Sequence, residues 1–372
     1  MSKRVLVTGG AGFVGSHTVD ALLAAGHAVR VFDSLAVQVH PAGRPSYLAK
    51  EIEFQLGDMR DIDAVRAALR NVDVVYHLAA VVGVGQSMYE IGNYMGTNTQ
   101  GTAVLLQALL DARLPIEKLI VASSMSIYGE GGYFCSHCGM MSPAPRDVQQ
   151  LRGREWEPCC PLCERQLSPV ATQETKPLQT SSFYALSKKD QEEMCLMFGR
   201  TYGLPVVALR YFNIYGPRQA LSNPYTGVAA IFASRLLNAS APLVFEDGRQ
   251  MRDFVSVHDV VRANLLALQR PAASGLAMNI GSGEPISIRR VARILAETLG
   301  SDIEPEITGK YRAGDIRHCF ADISLASRTL GFEPQMPFAQ GIEELVDWLR
   351  SQTAEDRTAE AVRLLHAHGL AA

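Results

Sequence analysis

The fold is decided by the stretch Val5-Leu6-Val7-Thr8-Gly9-Gly10-Ala11-Gly12-Phe13-Val14-Gly15-Ser16-His17. Its apolar start predicts a buried strand, and the following residues, up to Leu23, predict a helix. The first glycine of the turn permits a tight bend, the second lets backbone approach a pyrophosphate, and the third lets helix and strand pack closely. Because helix N-termini present unpaired N–H groups to phosphates, the stretch predicts a dinucleotide site at Gly9, Gly12, Phe13, Val14 and Gly15. The alternative is a glycine-rich turn without a ligand.

The next predicted strand, Ala28 to Phe32, ends in Asp33. An acidic residue roughly 20 positions after such a turn is placed to bond the ribose hydroxyls of the adenosine. Its charge would repel a 2′-phosphate, so the sequence favours NAD over NADP. The alternative is a carboxylate that only caps a loop or a helix.

Size and composition set broad limits. The chain has 372 residues, of which 47% are apolar and 20% charged, values typical of a globular protein with two structural regions. The net charge of −3, without a basic run, argues against nucleic-acid and anionic-membrane partners. No leader-like segment precedes the first strand and no apolar stretch reaches spanning length, so we expect a cytoplasmic protein.

Strand and helix patterns alternate through the first half of the chain. Strands are predicted at 53–58, 72–80 and 119–124, and helices begin at Asp61 and Thr97. This order predicts a parallel, doubly wound α/β sheet of the Rossmann type. Ligands of such sheets bind beyond the carboxyl ends of the strands. The residues at those ends are Asp58, Met59, Leu78, Ala79, Ala80, Ser123 and Ser124.

Tyr184 and Lys188 lie four residues apart in a predicted helix that begins near Ser182. They therefore share one helical face. A nearby ammonium favours the phenolate form of a tyrosine, so the pair is a candidate for proton transfer, oriented by the Ser124 hydroxyl. The alternative is a partly buried tyrosine beside a solvated lysine.

In this order, the glycine turn, Asp33, Ser124 and the Tyr184/Lys188 pair resemble the extended short-chain dehydrogenase/reductase family, and more narrowly its NAD-dependent nucleotide-sugar epimerases and dehydratases. The resemblance runs from about Lys3 to about Leu349. Further matching segments are 98–102, 210–218, 252–260, 279–283 and 312–317.

The resemblance implies roles for further residues. Ser124, Tyr184 and Lys188 would be catalytic. Tyr211 would line the cofactor site with Ala79 and Ala80. The family also implies a homodimer that pairs through the helices around Val104 and Glu192. The implied binding residues for a nucleotide diphosphate sugar are Val82, Ser124, Ser126, Asn213, Arg252, Asn279 and Arg312, the asparagine at 213 and the two arginines holding the diphosphate.

The reaction is narrowed by the residues after Ser124. The family's 4,6-dehydratases carry an Asp-Glu pair there, whereas this chain has Met125 and Ser126. These side chains cannot serve as an acid/base pair for elimination of water, so the resemblance favours a 4-epimerase. The open alternatives are a UDP-glucose/UDP-galactose-type 4-epimerase, a keto-sugar reductase and a non-catalytic NAD-binding sensor or scaffold.

Apolar residues in 80–89 and 124–129 suit a deoxysugar with a C6 methyl group. With the stretch 219–225, these segments are similar to the dTDP-L-rhamnose 4-epimerases. We therefore expect interconversion of dTDP-L-rhamnose and dTDP-6-deoxy-L-talose.

An insert carrying five cysteines separates Gly129 from Tyr184. Its two C-x-x-C knuckles predict a zinc-ribbon-like site with four thiolate ligands. We assign the ligands to Cys135, Cys138, Cys160 and Cys163, with Cys159 as the alternative to Cys160. A disulfide is disfavoured in a reducing cytosol, and four cysteines leave no open position for catalysis.

The sequence thus predicts four regions. An NAD-binding Rossmann domain comprises 1–129 and 174–212, and the zinc-binding insert with its four cysteine ligands comprises 130–173. A smaller α/β nucleotide-sugar domain lies mainly in 213–350. Residues 351–372 form a C-terminal tail that either docks as a helix or frays.

Overall fold

The chain alternates strands and helices around one large parallel sheet. The computed structural model describes residues 2–113, 115–220, 223, 225, 227–312, 314–350, 352, 356 and 358–370. The strands are β1 (Arg4–Thr8), β2 (Ala28–Asp33), β3 (Glu53–Leu56), β4 (Val74–His77), β5 (Lys118–Ser124), β6 (Gly132–Cys135), β7 (Gly139–Met141), β8 (Ser168–Val170), β9 (Val206–Tyr211), β10 (Asn213–Tyr215), β11 (Leu243–Val244), β12 (Met251–Ser256), β13 (Ala277–Ile280), β14 (Pro285–Ser287), β15 (Glu306–Ile307) and β16 (His318–Cys319).

The helices follow the same chain order. They are α1 (Phe13–Ala24), α2 (Ile62–Ala68), α3 (Val84–Ser87), α4 (Ile91–Tyr94), α5 (Gly101–Ala112), α6 (Val148–Arg152), α7 (Phe183–Tyr202), α8 (Val228–Leu237), α9 (Val257–Gln269), α10 (Ile288–Leu299), α11 (Ser324–Leu330), α12 (Phe338–Leu349) and α13 (Thr358–Ala367). A π-helical turn spans Met95–Gln100, and 3₁₀ turns span Met125–Tyr128 and Pro271–Ala273.

The main sheet has seven parallel strands in the order β13-β9-β5-β4-β1-β2-β3. The chain turns back at β1, which pairs with β2 on one side and β4 on the other. Ligands of such sheets bind in the crevice outside the carboxyl ends of the strands at this reversal. The predicted doubly wound α/β sheet is confirmed.

Helices cover both faces of the sheet. Successive strand residues point to opposite faces, so Val5 and Val7 pack towards α1, α9 and α11, while Leu6 packs towards α2, α5 and α7. The ends of α7 follow from its sequence: the Ser182 hydroxyl accepts the N–H of Ala185, and Gly203, at φ +74°, ends the helix.

A second region lies beside the carboxyl edge. It contains a mixed sheet of β10, β12, β14 and β16, in which β10 and β16 run parallel to β12 and β14 antiparallel. Helices α8, α10 and α12 enclose its apolar core, which includes Phe232, Leu295 and Leu345. The insert forms a separate antiparallel sheet in the order β7-β6-β8.

Several elements differ from the predictions. Within 213–350, which the sequence assigns mainly to the second region, β13 completes the main sheet and α9 packs on α1. The strand predicted at 72–80 ends at His77, which leaves Leu78 to Ala80 at the sheet edge. The helix predicted from Thr97 opens with the π-helical turn.

The C-terminal half of the chain contains the helices of the second region and a further helix in the tail. Two helices of the second region, α8 and α12, begin at Val228 and Phe338. The predicted tail contains α13, while Leu221, Ser222 and Pro224 of the 219–225 stretch lie outside the described residues. Within the described ranges, no helix is both long enough and apolar enough to cross a membrane.

Candidate active site and cysteine cluster

The glycine turn has the geometry that the motif requires. Gly9 has φ +70°, and a Cβ on Gly15 would lie 2.1 Å from the Gly9 carbonyl oxygen, so helix and turn pack at close range. A Cβ on Gly12 would meet a single protein atom, the same oxygen, at 3.4 Å. The protein itself therefore does not require glycine at 12, whereas a pyrophosphate on the N-terminus of α1 would. The turn fits a dinucleotide.

Asp33 holds the loops at the edge of this crevice. Its Oδ2 accepts the N–H of Ala11 at 3.0 Å, and its Oδ1 accepts that of Leu35 at 2.9 Å. Each carboxylate oxygen can accept a second hydrogen bond. Asp33 thus acts as a loop cap, and it retains the capacity to bind ribose hydroxyls.

The other predicted cofactor residues differ in exposure. Leu78, Ala79 and Ala80 are partly exposed after β4. Asp58 forms an ion pair with Arg60 at 2.6 Å, and the hydrogen bonds from Arg60 lower the pKa of Asp58. Phe13 and Val14 begin α1 beside the turn. Met59 lies in the core against α5.

Ser123 and Ser124 are neighbours at the end of β5, so their side chains leave the strand in opposite directions and meet different residues of α7. Ser123 donates to Glu192 at 2.6 Å, and Glu192 pairs with Arg210. Ser124 instead accepts from the hydroxyl of Ser126 at 2.9 Å and from its N–H at 3.2 Å. Of the two serines, the structure therefore brings only Ser124 to the Tyr184 side.

Tyr184 is buried beside Ser124. Burial raises the pKa of Tyr184, and a hydrogen bond with Ser124 lowers it. Because Ser126 supplies two donors to the Ser124 oxygen, the Ser124 proton is free to point at the tyrosine oxygen. A donor at that place favours the phenolate, so the pair is arranged for proton transfer.

Lys188 is buried one turn further along α7. Its ammonium donates to the Ala122 carbonyl at 2.7 Å and to Oε1 of Gln191 at 2.8 Å. Burial lowers the pKa of Lys188 to about 7. Sequence reasoning missed Gln191, although its position three residues after Lys188 places it on the same helical face.

Two residues predicted to contact ligands form internal hydrogen bonds. The Tyr211 hydroxyl donates to Asn264 at 2.6 Å, on the α9 side of the sheet. The Asn279 side chain accepts from Tyr128 at 2.7 Å and donates to the carbonyls of Thr172 and Asp322. The structure therefore places both side chains in the interior of the protein.

The three residues predicted to hold a diphosphate differ in their hydrogen-bond partners and in their exposure to solvent. Arg252 donates to the carbonyls of Met251, Ile316 and Arg317, so it ties β12 to the segment that follows Arg312. Arg312 pairs with Asp315 at 2.7 Å and is partly exposed. Asn213 Oδ1 is buried and lacks a hydrogen-bond partner among the described residues, which makes it a candidate contact for a bound group.

The predicted sugar side of the crevice is lined by the loop after β4. Asn98 donates to the Val81 carbonyl at 3.0 Å, accepts the Val81 N–H at 2.8 Å and donates to Ser187 at 2.9 Å. These bonds fix the loop against α7 and leave the neighbouring Val82 half exposed. An apolar, exposed side chain thus stands on a rigid part of the loop.

Four cysteine sulfurs converge in the insert. The Sγ atoms of Cys135, Cys138, Cys160 and Cys163 all lie within 4.8 Å of one another. In a tetrahedral zinc site with Zn–S bonds of about 2.3 Å, the sulfurs lie about 3.8 Å apart, so the donor set and spacing fit Zn²⁺. Cys159 is exposed and does not belong to this group. Backbone N–H groups of His137 and Cys138 lower the pKa of Cys135 to about 6, which favours its thiolate.

The insert is joined to the second region by buried charges that the sequence did not predict. Arg146 lies 2.9 Å from Glu246, and Arg317 lies 2.6 Å from Glu157 and 2.9 Å from Glu246. Arg146, Glu157 and Glu246 follow no motif, and Arg317 only ends the family-matching segment 312–317. No sequence signal therefore identified their pairing.

Comparisons with known proteins agree with this geometry. A model of the NAD dependent epimerase/dehydratase family matches residues 5–146 and 163–281. The unmatched stretch between these ranges lies inside the insert.

A dTDP-L-rhamnose 4-epimerase of Burkholderia thailandensis is 34% identical over 94% of this chain and 96% of its own. A solved UDP-glucose 4-epimerase of Thermus thermophilus in complex with NAD is 32% identical, with a TM-score of 0.75 over 94% of this chain and 100% of its own. A UDP-glucose 4-epimerase of Thermotoga maritima, solved with UDP-glucose, is 31% identical, with a TM-score of 0.76 over 93% of this chain and 98% of its own.

These matches cover most of the chain on both sides of the insert. They confirm the predicted resemblance to NAD-dependent nucleotide-sugar enzymes of the extended short-chain dehydrogenase/reductase type. With its glycine turn and its Ser124, Tyr184 and Lys188 constellation, the chain belongs to the NAD dependent epimerase/dehydratase family.

Proposed function

We propose that this protein is an NAD-dependent nucleotide-sugar 4-epimerase that interconverts dTDP-L-rhamnose and dTDP-6-deoxy-L-talose. The observation that carries the proposal is the pairing of Tyr184 with Ser124 at the carboxyl end of β5, followed by Met125 and Ser126. The pair can move a proton at a sugar hydroxyl, and the next two residues supply no carboxyl group to eliminate water.

Each residue contributes one part of the chemistry. Bound NAD would supply the acceptor, and then the donor, of a hydride. Tyr184 removes the proton of the C4 hydroxyl and later returns one. The Ser124 proton stabilises the tyrosine oxygen, and the Lys188 ammonium, one helical turn further along α7, adds positive charge on the same helical face. The glycine turn, with Asp33, would hold the pyrophosphate and the ribose.

The sugar assignment is supported by the apolar wall of the crevice. Val82 is half exposed and Met125 follows the catalytic serine. A C6 methyl group loses less hydration against such a wall than a C6 hydroxyl does. The similarity to the Burkholderia relative points to the same sugar. The second candidate is a UDP-sugar 4-epimerase, which the similarity to the two solved UDP-glucose 4-epimerases favours.

We further propose that the insert holds one structural zinc ion through Cys135, Cys138, Cys160 and Cys163. The support is the convergence of four sulfurs in a segment whose apolar cluster contains two of these cysteines, Tyr133 and Leu167. Such a small core needs a metal to stay folded. Thiolate ligands must remain reduced, which is the reason to propose the cytoplasm as its location.

A homodimer through α5 and α7 completes the proposal. Its support is apolar exposure on the outer surfaces of these helices, at Leu110, Met197 and Tyr202. Sedimentation velocity would test it: substitution of Met197 by Glu should yield monomers, whereas Leu364→Glu on α13 should not.

The function is tested with purified protein and dTDP-L-rhamnose, without added cofactor, with the products followed by NMR. Conversion to the C4 epimer up to a fixed equilibrium ratio is expected. Turnover of UDP-glucose but not of dTDP-L-rhamnose would transfer the assignment to the second candidate. Failure with both sugars, also after addition of NAD, would contradict the epimerase proposal.

A further inference from the structure

Gln191 is a completely buried side chain of α7 that lies between Lys188 and the end of β4. Its amide Oε1 accepts from the Lys188 ammonium at 2.8 Å. Its Nε2 lies 2.9 Å from Thr102 Oγ1, 3.2 Å from His77 Nε2 and 3.5 Å from the Ala79 carbonyl oxygen. A single amide thus connects the lysine of the proton-transfer pair to α5 and to the predicted NAD edge.

The orientation of this amide is fixed by its neighbours. An ammonium can only donate, so the atom facing Lys188 must be the carbonyl oxygen. The NH₂ group then faces Thr102 Oγ1, which donates its own proton to the Asn98 carbonyl at 2.7 Å and lies 2.8 Å from His77 Nε2. Because the Thr102 proton is engaged with Asn98, His77 Nε2 carries the ring proton and donates to Thr102. His77 Nδ1 then accepts from the Thr8 hydroxyl at 2.9 Å. Burial and the nearby Lys188 charge lower the pKa of His77 to about 3, which keeps this ring neutral.

We propose that Gln191 is a positioning residue for the reaction: its neutral amide holds the Lys188 ammonium against the end of β5, where the lysine charge acts on Tyr184. This inference rests on the proposed hydride-transfer function.

The number of acceptors around Lys188 supports the assignment. Within the described part of the chain, the ammonium has two hydrogen-bond acceptors, the Ala122 carbonyl and Gln191. Loss of the amide would leave a buried cation with one acceptor, and buried cations avoid that state by losing their proton or by moving. Either response removes positive charge from the surroundings of Tyr184.

The neutrality of Gln191 is also part of the inference. A carboxylate at 191 would keep the hydrogen bond to Lys188 but would cancel most of the lysine charge at Tyr184. Removal of the acceptor and addition of a charge should therefore have the same effect on the tyrosine. If Gln191 only packed the core, loss of its acceptor and its replacement by a carboxylate would not be expected to shift the Tyr184 titration in the same direction.

The experiment compares Gln191→Met, Gln191→Glu and Asp190→Ala. The last is a matched control, since Asp190 accepts an interhelical hydrogen bond from Thr99 at 2.9 Å without touching Lys188. The first readout is the pH titration of tyrosinate absorbance, taken as the difference between each protein and the same protein carrying Tyr184→Phe. The second is the pH dependence of kcat.

An ionised Tyr184 oxygen favours the ammonium form of Lys188, so the two groups titrate together. Both Gln191 variants should raise the pH at which tyrosinate appears by about one unit. The acidic limb of the pH profile of kcat should move to higher pH by the same amount. At neutral pH, kcat should fall about tenfold, with a small change in KM. The control should titrate like the wild type. Thermal unfolding identifies any variant that fails to fold, and Gln191→Glu keeps the test available if Gln191→Met does not fold.

An unchanged tyrosinate titration in folded Gln191→Met would overturn the inference. An equal shift in Asp190→Ala would also overturn it, because the effect would then come from helix packing. The absorbance titration needs no substrate. A wild-type protein inactive on all sugars would therefore contradict the proposed function, while the role of Gln191 would still be decided.

Discussion

Glu157 of the insert lies 2.6 Å from the guanidinium of Arg317, a side chain with no solvent exposure. Arg317 also pairs with Glu246 and Asp247 of the second region. The backbone of the same segment is held from the other side, since Arg252 donates to the carbonyls of Ile316 and Arg317. The insert therefore supports the segment that begins with Arg312, and the ion pair connects the insert that carries the cysteine cluster to the second region.

Substitution of Glu157 by Gln should weaken substrate binding through this connection. One of the three carboxylates around Arg317 is lost, which should destabilise the protein by about 1–3 kcal/mol. We expect KM for the nucleotide sugar to rise severalfold, with an unchanged NAD dissociation constant. Glu155→Gln is the control, because Glu155 is exposed on the same segment. Equal KM values in both variants would show that the insert does not support the sugar site.

Tyr184→Phe should reduce kcat by about 10²–10⁴-fold, the usual contribution of a positioned acid/base group. Ser124→Ala should have a smaller effect in the same direction, since the serine acts through its hydrogen bond to Tyr184. Steady-state kinetics and the NAD content of the purified variants check this. Loss of bound NAD together with activity would instead indicate a damaged cofactor site.

Alanine at Gly12 and at Gly15 should separate cofactor binding from folding. Gly12 has φ −73°, which alanine readily adopts, and its Cβ would enter the space predicted for the pyrophosphate. NAD affinity should fall by about tenfold or more with little change in Tm. A Cβ on Gly15 would collide with the Gly9 carbonyl, so that variant should lose stability first. Titration calorimetry and thermal unfolding measure the two effects.

The sheet was predictable because its signals are local. Each signal lies within a short stretch of sequence: the spacing of the glycines, the apolar runs and the acidic residue at a strand end. Each depends on a property of the residue type itself and not on contacts with distant segments. The face towards which a serine points depends on strand register, so Ser123 was grouped with Ser124 although it bonds Glu192. The return of β13 to the sheet likewise depends on packing between segments far apart in sequence.

Cys160→Ser should lose the metal, whereas Cys159→Ser should keep it. The Sγ atom of Cys160 belongs to the group of four converging sulfurs, whereas Cys159 is exposed and lies outside that group. Metal analysis of both purified proteins should give about one zinc per chain for Cys159→Ser and for the wild type. Equal zinc loss in both would contradict the ligand assignment, which the sequence alone left open between the two cysteines.

Lys188 should make stability depend on pH in a defined direction. Its pKa is lowered from the ordinary value of 10.5 to about 7 in the folded protein, so between these values the unfolded chain binds more protons. The wild type should therefore gain stability relative to Lys188→Met as pH rises from 7, by up to about 3 kcal/mol at pH 9. Urea unfolding of both proteins without bound nucleotide measures this difference. A constant difference across this range would show that Lys188 is not desolvated.

The charge network between the insert and the second region could not have been predicted in the same way. In the sequence, Arg146 and Glu157 look like ordinary surface residues, and Arg317 stands out only as the last residue of the family-matching segment 312–317. Their burial arises only when two separately folded surfaces meet. The same is true of Gln191, whose role depends on the positions of His77 and Thr102.

The ends of the insert are neighbours, because Gly132 pairs with Val170 across β6 and β8. A short loop could therefore bridge them, and the main sheet would keep its path. Arg317 would then lose Glu157 and Glu246 would lose Arg146. Arg317 would nevertheless keep Glu246 and Asp247 as partners within the second region. The insert itself depends on residues 246 and 317 as the partners of Arg146 and Glu157, so a protein engineer who transplants the insert must transfer both positions.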